Sequence, residues 1–215
     1  MAKRRKVGNL LALAVLSTVV QRPMHPYEMA SVLRERGKDQ DMKIKWGSLY
    51  TVVANLEKHG LLAATESIRQ GGRPERTVYE ITDAGRDELK DWVRELLGTP
   101  EREQPRLATA LSVMTALPPA EATALLRLRL TTMTEQLDAD RAMLAGASQE
   151  IPRLFLVETE YDLALRAAEV AWLASLVDEL ATGRFPGLAV WQAYHDTGQL
   201  PPELAELAER GSTTD

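Results

Sequence analysis

The 215-residue chain has no cysteine, only three histidines and only two phenylalanines. Without cysteine it has no disulfide framework, no thiolate metal site and no cysteine nucleophile. His25, His59 and His195 are not spaced as metal ligands, so no metal is expected. Catalytic signatures are missing too. There is no glycine-rich phosphate loop, no H-E-x-x-H pair and no serine elbow followed by its triad partners. The expectation is a non-enzyme without a cofactor. Long hydrophobic runs are also lacking. Lys3-Arg4-Arg5-Lys6 followed by the apolar residues 9–20 imitates a signal peptide. That run falls short of the ~20 residues of a membrane span, and Pro23-Met24-His25 lacks a small-residue cleavage pattern. A soluble, cytoplasmic chain with no membrane partner is expected.

Acid is scarce where base is concentrated. The formal charge is −5, yet residues 1–98 carry 17 Lys+Arg against 13 Asp+Glu, and residues 99–215 carry 9 against 18. The whole basic surplus lies in the first half, where a polyanion would bind. The opening basic arm, residues 1–6, is either a solvated terminus or a phosphate or minor-groove contact through Arg4 or Arg5.

Residues 45–62, KWGSLYTVVANLEKHGLL, organise that half. On a helix, Leu49, Val52, Val53 and Leu56 share one arc and form core with Ile81. The opposite arc carries Gly47, Thr51, Ala54 and Lys58, flanked by Ser48, Tyr50 and Asn55. Glu57 is the only carboxylate and sits to one side. Short polar side chains let a backbone come close to a partner, and hydroxyls, amides and a phenol suit phosphates and base edges. A strand over 63–68, a turn at Gln70-Gly71-Gly72-Arg73-Pro74 and a strand over 76–81 follow. Helix and then a basic-tipped hairpin is the order of a winged helix. Upstream, residues 7–20 read as a helix buried on most faces. A second helix opens at Pro26, buries Tyr27, Met29, Ala30 and Leu33, and closes at Gly37. His25 reads as a turn residue. Met42 and Ile44 suggest a short strand. After the wing, Thr82-Asp83 caps a helix over 84–97 striped by Leu89, Val93, Leu96 and Leu97, with Trp92 beside the stripe.

GSLYTVVANLEKHGLL followed by GGRPERTVYEITDAGR resembles the PadR family of bacterial transcriptional regulators, and MHPYEMASVLRERG is similar to that family's second helix. The resemblance implies a winged helix-turn-helix on a helical dimerisation domain, binding double-stranded DNA. Ser48 and Tyr50 match the family's G-[ST]-L-Y positions and are expected on phosphates at the groove entrance. Thr51, Asn55 and Lys58 are expected to read bases, with Lys43 and Lys45 on phosphates. Arg69, Arg73 and Arg76, around Gly72, are expected along the minor groove. Lys45-Trp46 departs from the small capping residue and proline of many relatives. Trp46 is then a wedge and the helix starts later. Glu66 and Glu75 blunt the hairpin's charge.

The second half reads as all helical. Gly98-Thr99-Pro100 marks a boundary, which gives a DNA-binding domain with linking helix at 1–98 and a helical domain at 99–215. Residues 106–117 are helical. A long helix over about 120–144 carries Leu126, Leu130, Met133, Leu137 and Leu144. Another over 153–181 carries Leu154, Val157, Tyr161, Leu165, Ala168, Trp172, Leu176 and Leu180 at heptad-like spacing. This half resembles, more loosely, the PadR dimerisation domain. Leu126, Leu130, Met133, Leu137, Tyr161, Leu165, Trp172 and Leu176 are expected in a homodimer seam. The family also implies a small aromatic or hydrophobic effector, for which Tyr161, Trp172, Phe185, Trp191 and Tyr194 offer aromatic walls. Glu158-Glu160-Asp162 splays around its helix as a solvated face. The fold class expected is mainly α, a winged helix-turn-helix with a hairpin wing plus long antiparallel helices. The function expected is a ligand-responsive repressor on a palindromic operator. The alternative is a winged-helix protein-interaction module that never touches DNA.

Overall fold

Asn9 starts the first helix by accepting the Leu11 amide on its side chain at 2.8 Å. In the computed structural model, which describes residues 5–37, 46–68, 76–101 and 105–199, this helix is α1 (Leu10–Val19). Seven of its ten residues are buried, as its nearly unbroken apolar run requires. The one buried hydroxyl, Thr18, donates to the Ala14 carbonyl at 2.8 Å and so costs little.

α2 (Pro26–Glu35) begins with a capping box. His25 accepts the Tyr27 amide on its ring, and the Glu28 carboxylate accepts the His25 amide at 3.0 Å. That amide, aided by Arg22, holds the Glu28 carboxyl below the usual carboxylate range. Met29, Ala30 and Leu33 face the core. Tyr27 does not. It is 64% exposed, because the first turn of α2 points its second position outward while Pro26 takes the inner one.

α3 (Leu49–Lys58) follows a single 3-10 turn over Trp46–Ser48, so the helix proper starts late. It ends on a left-handed Gly60. The Leu61 amide reaches back to the Leu56 carbonyl at 2.9 Å and the Gly60 amide to Glu57 at 2.8 Å, the two bonds of a Schellman stop. β1 (Leu62–Ile68) and β2 (Arg76–Ile81) pair antiparallel, with an irregularity between Ala64 and Glu66. The outer edge of β2 is also bonded. Met24 and Tyr79 exchange both amide hydrogen bonds at 3.0 Å, so the α1–α2 connection adds a one-residue rung. Met42 and Ile44, the residues with strand character, lie outside the described residues.

α4 (Asp83–Gly98) is capped by Thr82, whose hydroxyl accepts the Gly85 amide and donates to the Gly60 carbonyl at 2.7 Å. Here the expected stripe is rotated. Trp92 is buried in the core and Leu89 packs against it, whereas Val93, Leu96 and Leu97 are exposed. The core of this unit, Met1–Arg102, joins α1, α2, α3, the hairpin and Trp92.

The second compact unit, Glu103–Asp215, contains α5 (Arg106–Ser112), a 3-10 turn over Met114–Ala116, α6 (Pro119–Ala147), a turn over Arg153–Phe155, α7 (Val157–Ala181) and α8 (Leu188–Thr197). The long helices α6 and α7 pack along each other. Ala122 and Leu126 meet Leu173, Leu176, Val177 and Leu180, and Trp191 of α8 closes that core. Among the described residues no helix is long and apolar enough to cross a membrane, and no group of three His, Cys, Asp or Glu is placed to hold a metal.

Candidate nucleic-acid interface

The packing of α3 decides which of its residues are available. Leu49, Val52, Val53 and Leu56 are buried in the core, and Ile81 of β2 joins them. The other arc is therefore turned to solvent. Tyr50 is 58% exposed, and Thr51, Ala54, Asn55 and Lys58 are exposed beside it. Thr51, Asn55 and Lys58 follow one another at four and three residues, so they form one row. Ser48 is the partly buried N-cap residue. The face offers a phenol, a hydroxyl, an amide and an ammonium in about two turns, without a carboxylate among them.

Glu57 is exposed to one side of that row. Burial first, then the nearby Glu57 carboxylate, hold the phenol of Tyr79 on β2 above its ordinary value. No local signal in the sequence links positions 57 and 79. Only the return of the hairpin beside α3 does.

Five other expected DNA-contact residues, Lys43, Lys45, Arg69, Gly72 and Arg73, lie outside the described residues. So do the Gly71–Pro74 turn, Glu75 and Arg4. The backbone of Arg76 begins β2. The side chains of Trp46, Glu66 and Arg76 are likewise outside the described set.

Arg5 corrects the reading of the basic arm. Its side chain is only 4% exposed and is ion-paired to Glu88 at 2.5 Å, to Asp91 at 3.5 Å and to Glu95. Its guanidinium lies 4.9 Å from the centre of the Trp92 ring. Burial works against its charge, but Glu88 and Glu95 more than offset it and raise the Arg5 pKa. Arg5 is bound to α4 and is not available to a phosphate.

In the helical unit the expected seam divides into two groups. Leu126, Leu137 and Leu176 are buried within the single chain, and Leu130 and Met133 pack partly against the same core. Tyr161, Leu165 and Trp172 stay exposed on α7, in line with exposed Leu154 and Val157. Of the five aromatic residues named for an effector, Tyr161 and Trp172 are exposed on α7, while Phe185 and Trp191 share one core. Trp191 is buried and its Nε1–H donates to the Leu117 carbonyl at 2.9 Å. Phe185 packs on the core, and Tyr194 stands edge-on to His195. His195 Nε2 bonds the Thr115 carbonyl at 2.9 Å, and since a carbonyl only accepts, that nitrogen donates. A cavity of about 470 Å³ opens elsewhere, between α5 and α6. Leu107, Leu111, Met114, Leu117 and Leu126 line it, and Arg129 is the one charged residue in its wall.

Residues 15–91 match the model of the family described as "Transcriptional regulator PadR-like family". No curated protein matches the sequence. Among solved structures, Bacillus subtilis PadR in complex with operator DNA is 21% identical. It superposes with a TM-score of 0.63 over 80% of this chain and 99% of its own. The same Bacillus subtilis protein in complex with p-coumaric acid is 20% identical, with a TM-score of 0.62 over 84% of this chain and 99% of its own. The Vibrio cholerae virulence activator AphA is 15% identical, with a TM-score of 0.61 over 80% of this chain and 98% of its own. At these identities the likeness is one of fold, and it extends across both units.

Proposed function

We propose that this chain, PadR-like over residues 15–91, is a sequence-specific transcriptional regulator that binds double-stranded DNA as a homodimer. The observation that carries the reading is the solvent face of α3, where Tyr50, Thr51, Asn55 and Lys58 stand exposed over a fully buried apolar arc. Nothing in the packing of the unit needs those side chains. Their chemistry is that of phosphate and base-edge contacts. Tyr50 is assigned to a phosphate, and Thr51, Asn55 and Lys58 to base edges. A protein-interaction module would have no use for an acid-free polar row of this kind. The cytoplasm is the compartment in which such a protein would work.

The homodimer is supported by the uncovered apolar row of α7, Val157, Tyr161, Leu165 and Trp172, with Leu154 exposed in the turn before it. A second copy would cover it. A two-fold dimer would set two α3 helices about one turn of duplex apart, on a palindromic site. A small apolar or aromatic effector is assigned to the cavity between α5 and α6. Arg129, ion-paired to Glu169 at 2.8 Å, closes one side of that cavity. Relief of repression is the proposed sense of control, and a reporter gene with and without the chain tests it.

Binding to a labelled duplex from upstream of the chain's own gene, with unlabelled competitor, tests the core reading. Wild type should bind saturably and resist competitor. Tyr50→Ala should lose about 10-fold, the value of one charge-assisted contact, with its mass in solution unchanged. Tyr50→Ala binding like wild type would remove this face of α3 from the interface.

A further inference from the structure

Arg129 borders two hollows of the helical unit. One is the cavity of about 470 Å³ between α5 and α6, and the other is a polar cleft of about 500 Å³ between α6 and α7. Leu107, Leu111, Met114, Leu117, Leu125 and Leu126 line the first, with only alanines, Val113 and Arg129 besides. None of these described lining side chains carries a hydroxyl, an amide or a carboxylate. The backbone beside them is already bonded. The Leu117 and Thr115 carbonyls accept from Trp191 and His195 at 2.9 Å. The Val113, Ala116 and Leu117 amides donate to carbonyls three residues back, at 3.0 to 3.2 Å.

Arg129 is the one charged residue in that wall, and its charge is matched from outside it. Its guanidinium donates at 2.8 Å to the carboxylate of Glu169 on α7, which lines the polar cleft and not the apolar cavity. Arg166, the other arginine of the cleft, is likewise matched, by Asp140 at 2.7 Å and Asp162 at 2.8 Å.

We infer that the cavity takes an uncharged apolar molecule, and that Glu169 sets this choice by holding the guanidinium of Arg129. The inference rests on the proposed effector role of this cavity and names the class of ligand. A carboxylate entering the cavity gives up its water, and the one donor side chain in the described wall is already bonded to a carboxylate. Glu169 also repels a second anion. An ammonium finds no acceptor side chain in the described wall. A neutral molecule gains from apolar burial without that loss. Both side chains of the ion pair are partly open to water, 44% and 35% exposed, so the preference is one of about 10-fold and not of thousands. Glu169 acts through Arg129 and is a positioning residue.

The test is calorimetric titration of the full-length chain at neutral pH with naphthylmethanol, naphthoate and naphthylmethylammonium, three probes of one shape. Wild type should bind the alcohol ~10-fold tighter than either ion. Glu169→Gln keeps the size of the side chain and frees the charge of Arg129. It should tighten naphthoate ~10-fold and leave the alcohol unchanged. The double variant Arg129→Met/Glu169→Gln should lose that gain. Ala110, exposed at the rim of the cavity, locates the probe, since Ala110→Trp should fill the space and abolish binding of the alcohol.

Each other pattern overturns the inference. Wild type that binds naphthoate as tightly as the alcohol removes the ligand class. Glu169→Gln that leaves naphthoate unchanged, or shifts all three probes together, makes the ion pair merely structural. A naphthoate gain that survives in the double variant has a cause other than Arg129. Wild type that binds none of the probes, or binds them equally in Ala110→Trp, removes the effector reading of the cavity, and this inference with it.

Discussion

Arg5 holds an ion cluster in the first unit, residues 1–102. Glu88, Asp91 and Glu95 recur at three and four residues on α4, so they form one acidic row, and Arg5 lies across it with Trp92 beneath. An arginine fits this place because its planar fork can bond two carboxylates at once while stacking on a ring, and a lysine cannot. Removing it takes away the cation that Glu88, Asp91 and Glu95 share. The carboxylates keep partial contact with water, so the cost stays below that of a fully buried pair. Arg5→Ala should destabilise the unit by about 2 kcal/mol, with Arg5→Lys in between. Thermal unfolding measures both. If Arg5 were a DNA contact after all, Arg5→Ala would weaken DNA binding at an unchanged melting temperature.

Gly85 is a second residue with no slack. A Cβ there would lie 2.1 Å from the Leu61 carbonyl oxygen and 2.8 Å from Ile81 Cγ1. The backbone of Leu61 cannot yield, because its neighbours are fixed by the Schellman stop and by the Thr82 hydroxyl on Gly60. Gly85→Ala must push α4 off the end of α3, at a cost of about 3 kcal/mol. A denaturation midpoint equal to wild type would show that α4 can shift freely. Neither residue's role was legible in the sequence. The acidic spacing on α4 is visible there, but its cation lies more than eighty positions upstream, and the carbonyl that Gly85 meets belongs to another element.

At the scale of elements, legibility depended on whether apolar residues sat on one side. α3 is apolar on one arc only, so its buried and exposed residues could be assigned from spacing. The Thr82 cap was equally local. α7 is different. It carries apolar side chains nearly all round, and two rows compete. Leu163, Leu173, Leu176, Val177 and Leu180 are buried within the chain, while Val157, Tyr161, Leu165 and Trp172 remain uncovered. Periodicity alone cannot say which row meets α6 and which stays uncovered. Tyr27 and the stripe of α4 misled for a related reason. A hydrophobic residue near the end of a helix can turn outward at little cost, since only its own contacts are lost.

The uncovered row of α7 makes its own prediction. Trp172 is 50% exposed in the single chain, so a charge there does not disturb the protomer's core. Trp172→Glu should leave the far-ultraviolet circular dichroism and the melting of the isolated protomer intact. Light scattering should fall from the mass of two chains to that of one, 23.8 kDa. An unchanged mass would take Trp172 out of the interface and leave the seam to Leu154, Val157 and Tyr161.

At the scale of the whole molecule, charge and assembly combine into one measurable quantity. The basic surplus belongs to residues 1–98 and the acidic excess to residues 99–215. If the chain binds DNA as proposed, the helical unit contributes repulsion and the attraction must come from the winged helix. Each winged helix would neutralise only a few phosphates, and two would act together only if a dimer held them on one duplex. With ~6–10 phosphates neutralised per dimer, affinity should fall about 10³–10⁵-fold between 50 and 200 mM salt. A monomer carries half of those contacts. The logarithmic salt slope of Trp172→Glu should then be about half that of wild type, because the slope counts phosphates and not protein–protein contacts. Anisotropy titrations of one labelled duplex at four salt concentrations give both slopes. Equal slopes with a weaker affinity would mean that one protomer makes every phosphate contact, so that the second copy stabilises the first and does not itself touch DNA.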